Sequence, residues 1–183
     1  QKMNCKELIF QVQYLQGDQK YHSNIARNNQ ARGENINSQF PSTGVGTRAS
    51  KDLVNEYEVG DIRKEFSVKF ATDSRVNDWF VTKFRDNSAA AGTTGWGGND
   101  WILIRYADVM LMLAETKMYL GEESEAIVLL DEVRERAGLP SYDISIQNPT
   151  YVNLYPTLKD AILHERRVEL AFENHRWFDL IRT

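Results

Sequence analysis

The chain has 183 residues, a net charge of −4 and 42% hydrophobic residues, values that fit one domain or two small ones with a buried core. Charged residues make up 26% of the sequence, which argues against wholesale disorder. The chain has no excess of basic residues that would favour nucleic-acid binding. The lone cysteine, Cys5, excludes an internal disulfide framework, and no apolar run approaches the ~18 residues of a membrane span.

The first hundred residues contain most of the glycines and little helical periodicity. Residues 8–15, LIFQVQYL, alternate and are rich in β-formers, which predicts a strand. Residues 16–48 form a polar run without a period, and a loop of that length is usually functional or disordered. KDLVNEYE, at 51–58, predicts a short helix that ends at Gly60.

Three further segments complete this loop-rich part of the chain. IRKEFSVKF (62–70) and WFVTKF (79–84) have the composition of strands or extended segments. AAAGTTGWGGND (89–100) predicts a glycine-rich loop that carries Trp96 on a flexible, exposed support.

From Trp101 onward the hydrophobic period becomes helical. One apolar stripe of this predicted helix consists of Ile104, Ala107, Leu111, Ala114 and Met118. A second stripe predicts burial on more than one side, and it consists of Leu103, Met110, Leu113 and Leu120. Gly121 is placed to end the helix.

A second helix completes a helical hairpin. Ser124 is placed to cap it, Gly138 and Pro140 end it, and its apolar face consists of Ala126, Ile127, Leu130 and Val133. The spacing resembles a tetratricopeptide repeat, which requires small residues where its helices cross, and Ala114 and Ala126 occupy those positions. One such unit cannot bury its own face, so its partners are the rest of this chain or a further part of the protein.

Two more helices are predicted near the C-terminal end. Thr157 and Asp160 form a capping-box variant at the start of a helix that runs to about Phe172, and another helix begins around His175. We therefore predict a mainly α fold of tetratricopeptide-like hairpins with a loop-rich region of few short strands. Residues 1–100 are the predicted ligand-facing region and residues 101–183 the helical scaffold, together one structural unit.

Glu165 and Glu169 lie on the apolar face of the third predicted helix, where unpaired carboxylates would be costly. Arginine matches a carboxylate with two parallel hydrogen bonds. The favoured interpretation is therefore a set of structural ion pairs that fixes helix register, with the available arginines being Arg105, Arg166, Arg176 and Arg182.

Catalytic and metal-binding alternatives have weaker support. The zinc signature H-E-x-x-H lacks its second histidine after His164 and Glu165, so no metal is expected. Hydrolysis by Glu165 or Glu169 would require a general acid with a raised pKa, whereas neighbouring arginines lower the pKa of a carboxyl group. GTTGWGG lacks the Lys-Ser/Thr of a phosphate-binding loop, and no cofactor is expected.

Three blocks together carry a family resemblance: WILIRYADVMLMLAE, EAIVLLDEVRERAGLP and AILHERRVELAFENHRWFDLIRT. They resemble the C-terminal part of the SusD/RagB family, which comprises surface-exposed outer-membrane lipoproteins of Bacteroidetes that capture nutrients, mostly glycans. KELIFQVQY, GDIRKEF and VTKFRD extend the similarity over nearly the whole chain. The order and separation of Arg105-Tyr106-Ala107-Asp108 and His164-Glu165-Arg166-Arg167 make the resemblance specific.

The resemblance implies a non-catalytic oligosaccharide-binding protein that delivers its ligand to a SusC-like TonB-dependent transporter. It also implies attachment to the outer membrane only through an N-terminal lipid anchor. Cys5 follows Lys-Met-Asn rather than a lipobox, so we expect that anchor to be absent from this chain, which would be roughly the last third of the protein. Peptide or other nutrient binding, and a helical-repeat scaffold for protein–protein contacts, remain alternatives.

Sugar recognition combines aromatic faces with polar groups for the hydroxyls. The predicted ligand-binding residues are those placed on loops rather than on periodic faces: Trp96, Tyr21, His22, Asn24 and Arg48. Trp79, Trp177 and Phe178 are instead predicted to belong to the core.

Overall fold

The computed structural model describes residues 5–41, 46–72 and 77–183. Helices dominate these ranges, so the predicted mainly α fold class is confirmed. The helices are α1 (Ile25–Asn29), α2 (Lys51–Glu56), α3 (Arg63–Ser67), α4 (Ala89–Thr94), α5 (Tyr106–Tyr119), α6 (Glu123–Arg136), α7 (Tyr142–Ser145), α8 (Pro149–Leu154), α9 (Leu158–Glu169) and α10 (Arg176–Arg182). None of them is both long enough and apolar enough to cross a membrane.

Short strands pair into two small sheets within the described part of the chain. The strands are β1 (Leu8–Val12), β2 (Val68–Ala71), β3 (Asp78–Val81) and β4 (Trp101–Arg105). Strand β1 pairs with β4, and β2 pairs antiparallel with β3, so that Val68 lies opposite Val81. The strand predicted in LIFQVQYL is therefore confirmed over its first five residues, and that in WFVTKF over its first three.

Three predicted segments differ from the structure. The first half of IRKEFSVKF is helix α3, and only its second half is a strand. The predicted glycine-rich loop begins with helix α4, because Ser88 accepts a hydrogen bond from Ala91 and Gly95 ends the helix at φ 76°. WILIR is strand β4 rather than the start of a helix. A short apolar run is compatible with either structure, and the pairing with β1 makes this one a strand.

The polar run of residues 16–48 contains structure of its own. Helix α1 lies within it, and Ser23 and Arg48 form isolated bridges with Gly97 and Phe80. Residues 42–45 of the run lie outside the described residues.

The predicted helical hairpin is present as α5 and α6. Gly121 follows α5 at φ 78°, as predicted for a residue that ends a helix. Ala114 and Ala126 are completely buried in the cluster that joins the two helices. The predicted second stripe is wrong in three positions, because Leu103, Leu113 and Leu120 are exposed. Ser124 is not the cap either, since Glu122 precedes α6.

The C-terminal helices follow their predicted caps. Thr157 and Asp160 form the reciprocal capping box that begins α9. The helix ends at Glu169 rather than near Phe172, which adopts a left-handed φ of 68°. His175 is the N-cap of α10, close to the predicted start of the fourth helix.

The chain divides into two compact units. The helical unit contains the residues up to Phe10, Glu56–Arg63 and Ile104–Thr183, and the loop unit contains Gln11–Asn55 and Lys64–Leu103. The first core is a cluster of buried residues that includes Leu111, Leu130 and Ile162, whereas Ala31, Ala71 and Phe80 form the second. The helical unit thus includes two segments that precede the boundary proposed at residue 101.

Replacing Ala114 with Leu should lower the free energy of unfolding of the whole protein by about 1–3 kcal/mol, because the larger side chain has no space between α5 and α6. Urea denaturation followed by circular dichroism measures this loss. The matched control is Val128→Leu on the exposed face of α6, with an expected change within about 0.5 kcal/mol. Equal stability of the two variants would contradict the tight crossing.

Candidate functional site

Helix α9 carries two carboxylates one turn apart into the interior of the helical unit. The Glu165 side chain is completely buried, and that of Glu169 is 5% exposed. The same face packs apolar residues, including Ala161 and Ile162, into the core. Burying a carboxylate away from a cation costs several kcal/mol, so the partners of these two groups determine what the cluster can do.

Glu165 lies between two arginines from different segments. Its Oε1 accepts a hydrogen bond from Arg63 Nη1 at 2.5 Å, and its Oε2 accepts one from Arg134 Nη1 at 3.1 Å. Arg134 is itself completely buried, and its guanidinium also donates to Glu58, to the Ser145 hydroxyl and to a backbone carbonyl. Every nitrogen of that guanidinium is therefore engaged.

Glu169 accepts hydrogen bonds from three guanidinium groups: Arg105 at 2.6 Å, Arg136 at 2.5 Å and Arg63 at 2.9 Å. Burial alone would raise the pKa of the Glu169 carboxyl, but the positive charges of these arginines outweigh it and lower the pKa to about 2. Glu169 is consequently ionised near neutral pH and has no proton to donate to a leaving group.

The arginine partners expected from the sequence are correct only in part. Arg105 contacts Glu169, whereas Arg166 forms its ion pairs with Asp108 and Asp179 at 2.9 and 3.1 Å. Arg182 binds other acids, Glu115 on α5 and Asp179 on its own helix, and Arg176 is the first residue of α10. The actual partners Arg63, Arg134 and Arg136 come from α3 and α6.

Sequence could have indicated one of these arginines. Arg134 lies four residues after Leu130 and eight after Ala126, on the apolar face of α6, where a charged residue signals a buried partner. Arg63 gave no such signal, because its segment was predicted to be extended.

His164 is a further buried ionisable group of α9. Its Nδ1 lies 3.1 Å from a Glu56 carboxylate oxygen and its Nε2 lies 3.2 Å from one of Glu58, while its ring stacks on Tyr155 with centroids 4.0 Å apart. Carboxylates only accept hydrogen bonds, so both ring nitrogens must carry a proton for both contacts to form. The two nitrogens of His164 are therefore occupied.

The pKa values agree with an imidazolium at this position. Burial lowers the pKa of His164, but hydrogen bonds to Glu56 and Glu58 outweigh burial and raise it. Burial likewise raises the pKa of Glu58, and the hydrogen bonds from His164 and Arg134 overcome it, giving a value of about 2. Among the described residues no group of three or more His, Cys, Asp and Glu side chains is arranged to hold a metal ion.

The loop unit presents an aromatic pair instead. Trp96 and His22, which lie far apart in the sequence, have ring centroids 5.9 Å apart with planes tilted by 34°. His22 Nδ1 lies 3.0 Å from the backbone carbonyls of Asp18 and Gln19, which fixes the ring. Sequence reasoning selected both residues, and the structure brings them together.

Backbone hydrogen bonds hold the Trp96 loop on both sides. Gly17 donates to the Trp96 carbonyl at 3.0 Å, and Ser23 and Gly97 exchange two bonds of 2.8 and 3.1 Å. The side chain of Trp96 is half-buried. The expectation of an exposed Trp96 on a flexible support is therefore wrong, because the neighbouring loop supplies backbone partners.

The other predicted ligand-binding residues have separate environments. Tyr21 is exposed beside His22, and its amide donates to Asp18 Oδ1. Asn24 precedes α1, and its buried Oδ1 accepts no hydrogen bond from the described residues. Arg48 lies opposite Phe80 and forms a 3.7 Å ion pair with Asp78.

Asp86 was not selected from the sequence, although its carboxylate binds backbone amides of the glycine-rich loop and of Ser88. One carboxylate oxygen accepts from Gly98 at 2.8 Å and the other from Ser88 at 3.0 Å. A Cβ on Gly97 would lie 2.8 Å from Asp86 Oδ2 and 3.0 Å from the Ser23 carbonyl, so glycine is required there. An Asp two residues before a Ser is the local pattern that could have indicated this turn.

The family model for the SusD family matches residues 67–183. This chain belongs to the SusD family. The resemblance seen in the sequence is confirmed.

Two curated relatives of this SusD-family chain come from Formosa agariphila. SusD-like protein P38 is 45% identical over 83 residues, which is 45% of this chain and 16% of the relative. SusD-like protein P2 is 34% identical over 135 residues, which is 73% of this chain and 27% of the relative. The chain therefore spans 16% of the length of P38 and 27% of the length of P2.

Solved structures share the fold. A SusD superfamily protein from Parabacteroides distasonis superposes with a TM-score of 0.73 at 25% identity, covering 97% of this chain and 39% of that one. Surface glycan-binding protein A from Bacteroides thetaiotaomicron, solved in complex with laminarihexaose, gives a TM-score of 0.71 at 19% identity, covering 96% and 42%. The second likeness is evidence of the fold alone.

Glu165→Gln should destabilise the SusD-family protein by about 3–5 kcal/mol, because the neutral side chain leaves the buried Arg134 without one of its charge partners. Urea denaturation of the whole protein measures the loss. Glu135→Gln, on an exposed position of α6, is the matched control, with an expected change within about 0.5 kcal/mol. Wild-type stability combined with loss of an enzymatic turnover would instead favour hydrolysis.

Stability should also depend on pH through His164. Its stabilising contribution is fully present below the ordinary imidazole pKa of 6.5 and is lost as the pH rises through the raised pKa of the folded state. The free energy of unfolding should therefore fall as the pH rises above about 6.5 and through the raised pKa of His164, as measured by urea denaturation at each pH.

His164→Gln should remove most of that fall. His175→Gln makes the same chemical change at a ring whose Nδ1 lies 3.8 Å from Asp108, and it serves as the control. An unaltered pH dependence in His164→Gln would show that the imidazolium contacts do not contribute.

Proposed function

We propose that this chain is part of a non-catalytic protein that binds oligosaccharides at the cell surface and delivers them to a SusC-like TonB-dependent transporter. The protein would be held at the outer membrane by an N-terminal lipid anchor. The observation that carries the proposal is the pairing of Trp96 with His22 on two loops that brace each other.

Aromatic rings bind the apolar faces of sugar rings, and nearby amides and carbonyls bind the hydroxyls. In the loop unit, Trp96 provides a half-buried ring on a loop that is held by backbone hydrogen bonds. Tyr21 provides an exposed ring on the adjoining segment. A ligand would therefore meet a largely preformed surface, which lowers the entropy lost on binding.

The ion pairs formed by the buried acidic residues support the absence of catalysis. Glu165 and Glu169 are buried between arginines, and a carboxyl group with a pKa of about 2, as in Glu169, cannot serve as a general acid. A structural neighbour adds further support: the Bacteroides thetaiotaomicron protein of similar fold is called a surface glycan-binding protein and holds laminarihexaose.

Trp96→Ala should weaken glycan binding by the whole protein at least about tenfold, which corresponds to about 1.4 kcal/mol of lost aromatic contact. Isothermal titration against a panel of oligosaccharides that includes laminarihexaose measures the affinity. Trp79→Ala is the matched control, because Trp79 packs edge-on against Phe70 between β2 and β3 in the same unit. It should bind as the wild type does.

The other outcomes separate the alternatives. Unchanged affinity in both Trp96→Ala and Tyr21→Ala would move binding away from the loop unit and favour a helical-repeat scaffold for protein contacts. No binding to any glycan together with binding of peptides would assign a different nutrient class. Shortened oligosaccharides after incubation would show catalysis, and failure to co-purify with an outer-membrane transporter would contradict the delivery step.

A further inference from the structure

Cations near exposed aromatic rings differ between the two units in whether an acid neutralises them. Trp177 and Phe178 on α10 were predicted to be core residues, but they are 67% and 62% exposed. The nearby Arg182 is neutralised, because its guanidinium donates hydrogen bonds to Glu115 and Asp179. The cations beside the proposed ligand-binding rings of the loop unit have a different environment.

Arg27 lies beside the loop that carries Trp96. A Cβ built on Gly95, the residue before Trp96, would lie 3.0 Å from Arg27 Nη1, so the guanidinium packs against bare glycine backbone. Because consecutive Cα atoms are about 3.8 Å apart, Nη1 is within roughly 9 Å of the Trp96 Cα. The guanidinium carbon also lies 5.2 Å from the centroid of the Phe40 ring. These two contacts hold the charge next to Trp96.

The hydrogen-bonding groups of Arg27 are not used by the described residues. Arg27 is half-buried, and within residues 5–41, 46–72 and 77–183 its guanidinium forms no ion pair and no hydrogen bond. A guanidinium has five N–H donors and no acceptor. Its planar fork matches an oxyanion such as a carboxylate with two parallel hydrogen bonds. Arg27 therefore has the donors that an anionic group would require.

A second cation stands beside the other proposed ring. Lys20 is exposed, and its Nζ lies 5.0 Å from the centroid of the Tyr21 ring. No carboxylate of the described chain forms an ion pair with Lys20. The polar run of residues 16–48 contains four basic and two acidic residues, although the whole chain has a net charge of −4. The segment that carries most of the proposed ligand-binding residues is therefore positive.

The acidic side chains of these loops have partners within the protein. They accept hydrogen bonds from backbone amides, and they are Asp18, Asp86 and Asp100. A backbone amide that donates to a carboxylate stabilises its negative charge. The acids are thus engaged in holding the loops, whereas Arg27 and Lys20 remain for a ligand.

We propose that Arg27 and Lys20 form an anion-binding subsite beside Trp96 and Tyr21, and that the ligand is an oligosaccharide bearing carboxylate or sulfate groups. The inference rests on the proposed function, because it names the class of glycan that the same loops bind. A sugar ring packs on an aromatic side chain while its acidic substituent accepts hydrogen bonds from Arg27. A neutral glycan leaves those donors without a charged partner and binds less tightly.

Isothermal titration of the whole protein with matched pairs of oligosaccharides tests the proposal. The members of a pair share one sugar sequence and differ in charge. One pair is an oligogalacturonide and its methyl ester, and the other is a sulfated carrageenan oligosaccharide and its desulfated form. The acidic member of at least one pair should bind about tenfold more tightly than its neutral counterpart at low ionic strength, and added NaCl should reduce this difference.

Arg27→Gln should weaken binding of the acidic member at least about tenfold more than binding of the neutral member. Arg27→Lys should retain part of the preference, because the charge remains while the planar fork is lost. Arg32→Gln is the matched control, since it makes the same chemical change at an exposed position of the same polar run. It should bind both members as the wild type does.

The results separate the subsite from the proposed function. A preference for the acidic member that Arg27→Gln abolishes supports the subsite. Equal binding of both members, a preference that survives in Arg27→Gln, or binding of neutral oligosaccharides alone overturns the subsite and leaves glycan binding standing. Equal weakening of both members would assign Arg27 a structural role and also overturns it. Binding of no glycan at all would contradict the proposed function itself.

A second variant guards against misfolding. Circular dichroism establishes whether Arg27→Gln is folded, and Lys20→Gln changes an exposed side chain of the same subsite. It should reduce the preference for the acidic member by about two- to fivefold, because an exposed charge contributes less than a half-buried one. A full wild-type preference in Lys20→Gln would remove Lys20 from the subsite and overturn the proposal in this form.

Discussion

The helical unit depends on buried carboxylates that are held between guanidinium groups. Glu165 and Glu169 lie on one face of α9, and their partners come from α3, α6 and the end of β4. In a low-dielectric interior such charges are stable only when oppositely charged partners surround them in suitable number and geometry. Because each carboxylate has partners from more than one segment, the contacts that neutralise the charge also hold Arg63, Arg105 and Arg134 against α9.

That arrangement separates structure from ligand chemistry. A carboxylate that already accepts hydrogen bonds from three arginines, as Glu169 does, has neither a proton to give nor a free oxygen with which to bind a sugar hydroxyl. His164 is engaged in the same way by Glu56 and Glu58. The side chains that we propose for ligand contact lie instead in the loop unit, where the rings of Trp96 and His22 pack together.

The loop unit achieves rigidity by different means. Its apolar cluster consists of Ala31, Ala71 and Phe80, and backbone and side-chain hydrogen bonds add to its organisation. Asp86 holds the amides of Gly98 and Ser88, and Ser23 pairs with Gly97. Glycine is needed at these points because the two loops approach more closely than a Cβ allows. A loop without regular structure in the sequence can thus still present a fixed aromatic ring.

By itself the sequence determined the helices α5, α6 and α9, the capping box of Thr157 and the family, since periodicity, caps and motifs depend on residues a few positions apart. It also indicated that the acids of α9 need arginines. Only the tertiary structure decided which arginines these are. Arg63, for example, donates a hydrogen bond to Glu169 although 106 residues separate them in the sequence. Strand β4 and the meeting of Trp96 with His22 were decided in the same way, because such contacts depend on how distant segments pack and no local pattern records them.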